Sequence, residues 1–214
     1  MRPSPRGTGL RRLAPLLVAL LLTPPGAVHG QIAVVEGEDF RLGLTGYLRS
    51  VTGVHDAGFD VPLGDRRSAF NAEVARLEWS ARWGDRVQVD VHDRLQVQLS
   101  TAPDGLGGPV AGIGVSAEPG RAVDLESEWI DDERLRVWHD VDRLAVTVYT
   151  PAADVTVGRQ AISWGTARLF PVADLWAQFS PYELDTEQKP GVDAVRALAY
   201  PTADLELDAV VADR

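Results

Sequence analysis

Four polar residues near the middle of the chain could do chemistry together. In "GRQAISWGTARLFPVADL" (158–175), Arg159 and Gln160 close a strand-like run, Trp164 stands beside Gly165, and Asp174 follows Pro171. A guanidinium, an amide, an indole and a carboxylate within 16 residues fit three arrangements: a catalytic cluster, a sugar site, or the lip of a pore. Which of them applies depends on the elements that position these residues.

Other chemistry is poorly supported. The histidines, His29, His55, His92 and His139, show neither HxH nor HExxH spacing, so no metal site is expected. No GxSxG motif is present, and Ser163 precedes Trp-Gly rather than a helix start. Asp131-Asp132 and Glu126/Glu128 read as a solvated acidic run. The glycines between 103 and 114 lack a P-loop lysine and read as a flexible loop. No cofactor and no enzymatic activity are expected.

The first 30 residues have the layout of an export signal: Arg2, Arg6, Arg11 and Arg12, then the apolar run 13–22, then a small residue, Gly30, at the expected cleavage point. The apolar run is too short to span a bilayer. The expected organisation is thus 1–30 signal peptide and 31–214 a single β-domain. The chain has no Cys, so neither a disulfide framework nor a lipid-modified cysteine is expected. Processing would leave 17 basic against 31 acidic residues, a formal charge of −14. That balance argues against nucleic acid as a partner.

The remainder alternates with period two. Ala75, Leu77, Trp79, Ala81 and Trp83 share one face, and Arg76, Glu78, Ser80 and Arg82 the other. Val87, Val89, Val91, Leu95, Val97 and Leu99 form an apolar row broken by Asp93, opposite Gln88, Asp90, His92, Arg94, Gln96 and Gln98. Strands are expected near 40–50, 70–83, 86–99, 140–150, 154–163, 192–200 and 205–212. The links alternate between long ones (51–69, 100–139, 164–191) and tight turns at 84–85, 151–153 and 201–204. That order, with strands of up to 14 residues, suits an antiparallel up-and-down transmembrane β-barrel with long loops at one end and short turns at the other. Seven strands is an odd number, so the barrel is expected to be incomplete here. Trp83, Tyr149 and Tyr200, each just before a tight turn, suit an interfacial girdle. Residues 124–139, acids first and Arg134, Arg136 and His139 after, suit a short helix.

The segment 140–198 resembles porin-like outer-membrane β-barrels, including the alginate-exporter-like group, through Gly158, Arg159, Gln160, Trp164, Gly165, Pro171, Asp174, Gly191 and Asp193. The resemblance implies a channel or exporter for small polar or anionic solutes in a bacterial outer membrane. Lipid, lipopolysaccharide, the barrel-assembly machinery and other copies of the chain would be its partners. Pore-lining or loop-anchoring candidates are Arg76, Glu78, Arg82, Asp90, His92, Arg94, Arg159, Gln160 and Asp174. Gly158, Trp164, Gly165 and Pro171 are candidate structural positions. Alternation from Val155 and Val157 would put Arg159 on the apolar side, so either a bulge at Gly158 or a position above the bilayer is expected, with Arg159 clamping an inward-folded loop through Asp174. The principal alternative is a secreted soluble β-sandwich binding carbohydrate through Trp164, Phe170 and Trp176. An outer-membrane enzyme using acidic loop residues ranks last.

Overall fold

The computed structural model describes residues 25–56, 67–101, 121–132, 134–162, 191–202 and 204–212. These form nine antiparallel strands: β1 (Gly26–Glu36), β2 (Phe40–Asp56), β3 (Arg67–Trp83), β4 (Val87–Ser100), β5 (Glu126–Asp131), β6 (Leu135–Tyr149), β7 (Ala153–Gln160), β8 (Val192–Thr202) and β9 (Leu205–Ala212). No helix occurs among the described residues. All nine strands belong to one up-and-down sheet, ordered β1-β2-β3-β4-β6-β7-β8-β9, with β5 attached to β6. β1 and β9 are its two edges, so the sheet is not closed.

The strands are long because the alternation is long. β2 and β3 have 17 residues each, β6 has 15 and β4 has 14, against a usual length of about 5–6. The tight turns after β3, β6 and β8 lie where expected, and a fourth at 37–39 joins β1 to β2, tied down by Gly84 N donating to Asp39 O at 2.7 Å.

Two strands depart from expectation. β1 starts at Gly26 and crosses the expected cleavage point at Gly30, which faces Gly46 in the register. The second is β5, where the helix expected over 124–139 is instead a hairpin. Arg136 Nη2 lies 3.4 Å from Glu128 Oε1, and its Nε lies 3.5 Å from Asp131 Oδ1. Acids followed by arginine therefore pair across two strands, not along one helix, and Trp129, Ile130, Val137 and Trp138 favour the extended form. The turn closes through Asp132 N to Leu135 O at 3.0 Å.

β6 shares one edge between two partners. Residues 144–149 pair with β7, and residues 136–140 with β5. On the opposite edge β4 pairs with β6 throughout, with a register shift between His92 and Asp93. There Asp142 is the inserted residue between Val141, opposite Asp93, and Arg143, opposite His92. The shift turns Asp140, Asp142 and Arg143 to one face while keeping Val137, Leu144, Val146 and Val148 on the other.

The two faces are inverted relative to a water-soluble sheet. Trp79, Val146 and Val157 are 40%, 42% and 50% exposed, whereas Arg76 and Asp142 are each 1% exposed. Exposed large apolar residues run from Leu77 to Trp83 on β3, and through Leu144, Val148, Val195 and Leu207. Burial of apolar side chains on this face is confined to the long-loop half, where Val97 and Val137 pack with Leu48, Ala75 and Ile130. Ser50 and Glu73 are also buried on this face, joined by a hydrogen bond of 2.7 Å.

The expected girdle is corrected in part. Trp83 stands on the apolar face with Phe40, ring centroids 5.2 Å apart. Tyr149 turns to the polar face, its hydroxyl donating to Gln88 Oε1 at 3.2 Å, with the Arg82 guanidinium 5.1 Å above its ring. Its parity is that of Thr147, and parity along a strand decides the face.

Candidate functional site: a charged ladder with an inward strap

The polar face carries a charged ladder across β3, β4 and β6, which Arg159 on β7 and Asp193 on β8 meet at its end. Arg76 stands opposite Arg94, and Glu78 opposite His92. Two arginines side by side would repel, but the bulge on β6 supplies acids for both. Arg76 Nη2 donates to both oxygens of Asp142 at 2.8 and 2.7 Å, and Nε donates to Glu78 Oε1 at 3.0 Å. His92 Nδ1 lies 3.3 Å from Arg76 Nη2 and 3.7 Å from Glu78 Oε1. Glu78 also accepts from Thr45 Oγ1 at 3.3 Å.

One turn along the ladder, Asp140 sits among three arginines. Arg94 Nη2 donates to its Oδ2 at 3.3 Å. Arg121 clasps it with a two-pronged fork, both bonds 3.0 Å, the geometry that makes guanidinium–carboxylate pairs strong. Arg159 Nη1 is 3.9 Å from Oδ1. Asp140 and the Arg159 side chain are both 1% exposed, so each charge depends on its partners for compensation.

Arg159 occupies the point where β6 exchanges β7 for β5. Its Nε and Nη2 hold the two oxygens of Asp193 on β8 at 2.9 and 3.2 Å. Its Nη1 donates to Val141 O at 3.0 Å, and Nη2 also donates to Val123 O in a short contact. Asp193 Oδ2 accepts from Val123 N at 3.1 Å. A buried carbonyl needs a donor, and Val141 O lies where one neighbouring strand has ended and the next has not begun. Its amide is met by Leu125 O at 3.4 Å. Thus the segment 121–125 is tied down as a strap along the free edge of β6, fixed by Arg121, by both backbone groups of Val123 and by Leu125 O.

Glycines make this close approach possible. Gly158 has φ of +117°, and a Cβ there would meet Leu144 O at 2.2 Å. The bulge expected at Gly158 does not form: β7 pairs with β6 and β8 without a register shift, and the departure is a single positive φ. A Cβ at Gly191 would meet Asp142 O at 2.0 Å and Arg159 Cγ at 2.6 Å. Gln160, also buried, donates to Ala194 O at 3.1 Å.

Of the expected site residues, Arg76, Glu78 and His92 gather around Asp142, and Arg94 and Arg159 around Asp140. Arg82 and Asp90 lie on the same face nearer the short turns, Asp90 accepting from Gln88 Nε2 at 3.0 and 2.9 Å. Asp174, Trp164, Gly165 and Pro171 lie outside the described residues, as do Phe170 and Trp176. Among the described residues Arg159 grips Asp193 and the strap at 121–125, where a contact with Asp174 was expected. Asp140, Asp142 and Arg121 were not expected in the site. A phase switch in "VWHDVDRLAVTV" marks the first two: Val137 and Val141 share a face with Leu144, Val146 and Val148 only if one residue is inserted between the two sets. Arg121 has no such mark in the sequence.

A recess of about 390 Å³ opens on the polar face beside Glu78, lined in part by Gln31, Thr45 and Tyr47. His29 completes it but precedes the expected cleavage point.

No family model, curated protein or solved structure matches the chain.

Proposed function

We propose that the chain is part of an outer-membrane, porin-like β-barrel that passes small hydrophilic solutes along its polar face. One observation carries the reading: long antiparallel strands bury a charged ladder and expose an apolar face. A soluble protein gains by the opposite arrangement, because exposed apolar area costs about 25 cal/mol per Å². In a bilayer the apolar face meets hydrocarbon, and polar groups are satisfied on the inner side. Alternating long links and tight turns support the same reading, as does the layout of the first 30 residues.

On this reading lipid and lipopolysaccharide contact Leu77, Trp79, Val146 and Val157. The assembly machinery inserts the sheet, and closure uses strands beyond β1 and β9 or another copy of the chain. Glu78, Arg82, Asp90 and His92 face the solute path, with the buried Arg76 and Arg94 fixing the ladder beneath them. Arg159 and Gln160 act as anchors, and Arg159 holds the strap that narrows the path. Mixed rows of charge tune which solutes pass. A soluble carbohydrate-binding sandwich is less well supported, since the described strands make a single sheet.

Fractionation of the full-length protein, followed by planar-bilayer recordings, tests the proposal. Recovery in outer membranes with discrete conductance steps is expected. Recovery only from the soluble periplasm would overturn it.

A further inference from the structure

We infer that residues 121–131, the strap with β5, form a movable gate at the edge of β6 that closes over the Asp140 end of the charged ladder through Arg121; this rests on the channel reading above. Three observations carry it. First, β5 lies off the main path of the sheet and pairs only with β6. Second, its six residues are exposed apart from Ile130, and Val123 on the strap is 56% exposed. Apolar contact is confined to Ile130, beside Val97 and Val137, and to Trp129, stacked on His139 with ring centroids 5.4 Å apart; residues 121–128 are held by polar contacts, which marks an element that opens before the rest. Third, its inner attachment is polar and convergent: Arg121 on Asp140, and Val123 on Arg159 and Asp193. A few contacts that break together give two discrete arrangements, in and out.

The edge of β6 explains why release is tolerable. The bulge at Asp142 already interrupts pairing between β7 and β5, so lifting β5 leaves the β6–β7 pairs at 144–149 intact. Asp140 keeps Arg94 when Arg121 departs, and Arg159 keeps Asp193 and Val141 O when Val123 departs. The buried charges stay paired in both states, which limits the cost of opening.

Hydrogen exchange read by mass spectrometry on the full-length protein tests the gate without reference to transport. Peptides covering 121–131 are expected to exchange as one unit, about tenfold or more faster than peptides covering β3 and β4. Arg159→Lys should accelerate that unit selectively. Exchange as slow as that of β3 and β4 would overturn the inference. A lock supplies the second arm. Ser127 and His139 stand directly opposite each other, at a separation of about 4.5–5.5 Å typical of such pairs, within disulfide range. The chain has no other cysteine, so Ser127→Cys/His139→Cys gives one bond. Oxidation should hold the channel at its smaller conductance, and reduction should restore the larger openings. If the unmodified protein conducts and oxidation changes nothing, the gate is wrong. If fast exchange is seen but no form conducts, the segment opens as a unit but the channel reading fails, and its role as a gate fails with it.

Discussion

Arg76 and Asp142, 66 residues apart in the chain, meet on the buried side of the sheet with one guanidinium nitrogen 2.8 and 2.7 Å from the two carboxylate oxygens. The contact exists because a single inserted residue on β6 turns Asp142 inward. It joins the β3–β4 half of the ladder to the part that holds the strap.

Breaking this pair leaves a buried charge. Arg76→Leu should cost about 3–5 kcal/mol of stability, and Asp142→Leu a similar amount. The double replacement should cost less than the two added together. Denaturant unfolding of the protein in detergent measures all three. Strictly additive losses would show that the two side chains are not coupled.

The glycines separate close approach from open space. Gly158→Ala and Gly191→Ala should each lower stability by more than about 2 kcal/mol, through a strained φ at the first and backbone overlap at the second. Gly43→Ala, whose nearest neighbour to a Cβ is Ser80 O at 3.9 Å, should be near neutral. Folded yield and unfolding midpoint report the difference. Equal tolerance at all three would contradict the described backbone.

Arg159 uses its planar fork on four acceptors, and an ammonium cannot reproduce that pattern. Arg159→Lys should lose about 1–3 kcal/mol despite keeping the charge. Asp193→Asn should weaken the same anchor, and both should alter conductance. Wild-type stability and conductance in both variants would remove Arg159 from the role of anchor.

A charge on the apolar face distinguishes lipid from water. Val146→Arg should cost about 2–4 kcal/mol if the residue lies at mid-membrane depth. At an exposed position in a soluble protein it would cost almost nothing. Assembly yield in outer membranes, beside Thr45→Arg at an exposed position on the other face, gives the comparison. Equal yields would remove the argument for a lipid-facing surface.

The parts of the fold legible in the sequence were those governed by local alternation. β3 and β4 lie where the period-two rows place them, and Arg76, Glu78, His92 and Arg94 share the expected face. Failures came where a nonlocal partner decided the outcome. β5 reads as helix because acids followed by arginine suit both a helix dipole and a hairpin, and only pairing with β6 selects the second. Asp142 was missed because one inserted residue shifts the phase in mid-strand. The strap could not be foreseen, since Arg121 becomes a site residue only when Asp140, Arg159 and Asp193 are brought together by three other strands.

The central claim is that alternate residues of β6 face lipid and water. The chain has no cysteine, so single cysteines at positions 144 to 148 can each carry a nitroxide label in the membrane-assembled protein. Collision with dissolved oxygen and with a water-soluble nickel chelate then reports the surroundings of each. A period of two is expected: labels at Leu144→Cys, Val146→Cys and Val148→Cys collide readily with oxygen and little with the chelate, whereas labels at Ala145→Cys and Thr147→Cys, buried on the polar face, collide less with oxygen. Free access of the chelate to all five positions would contradict it.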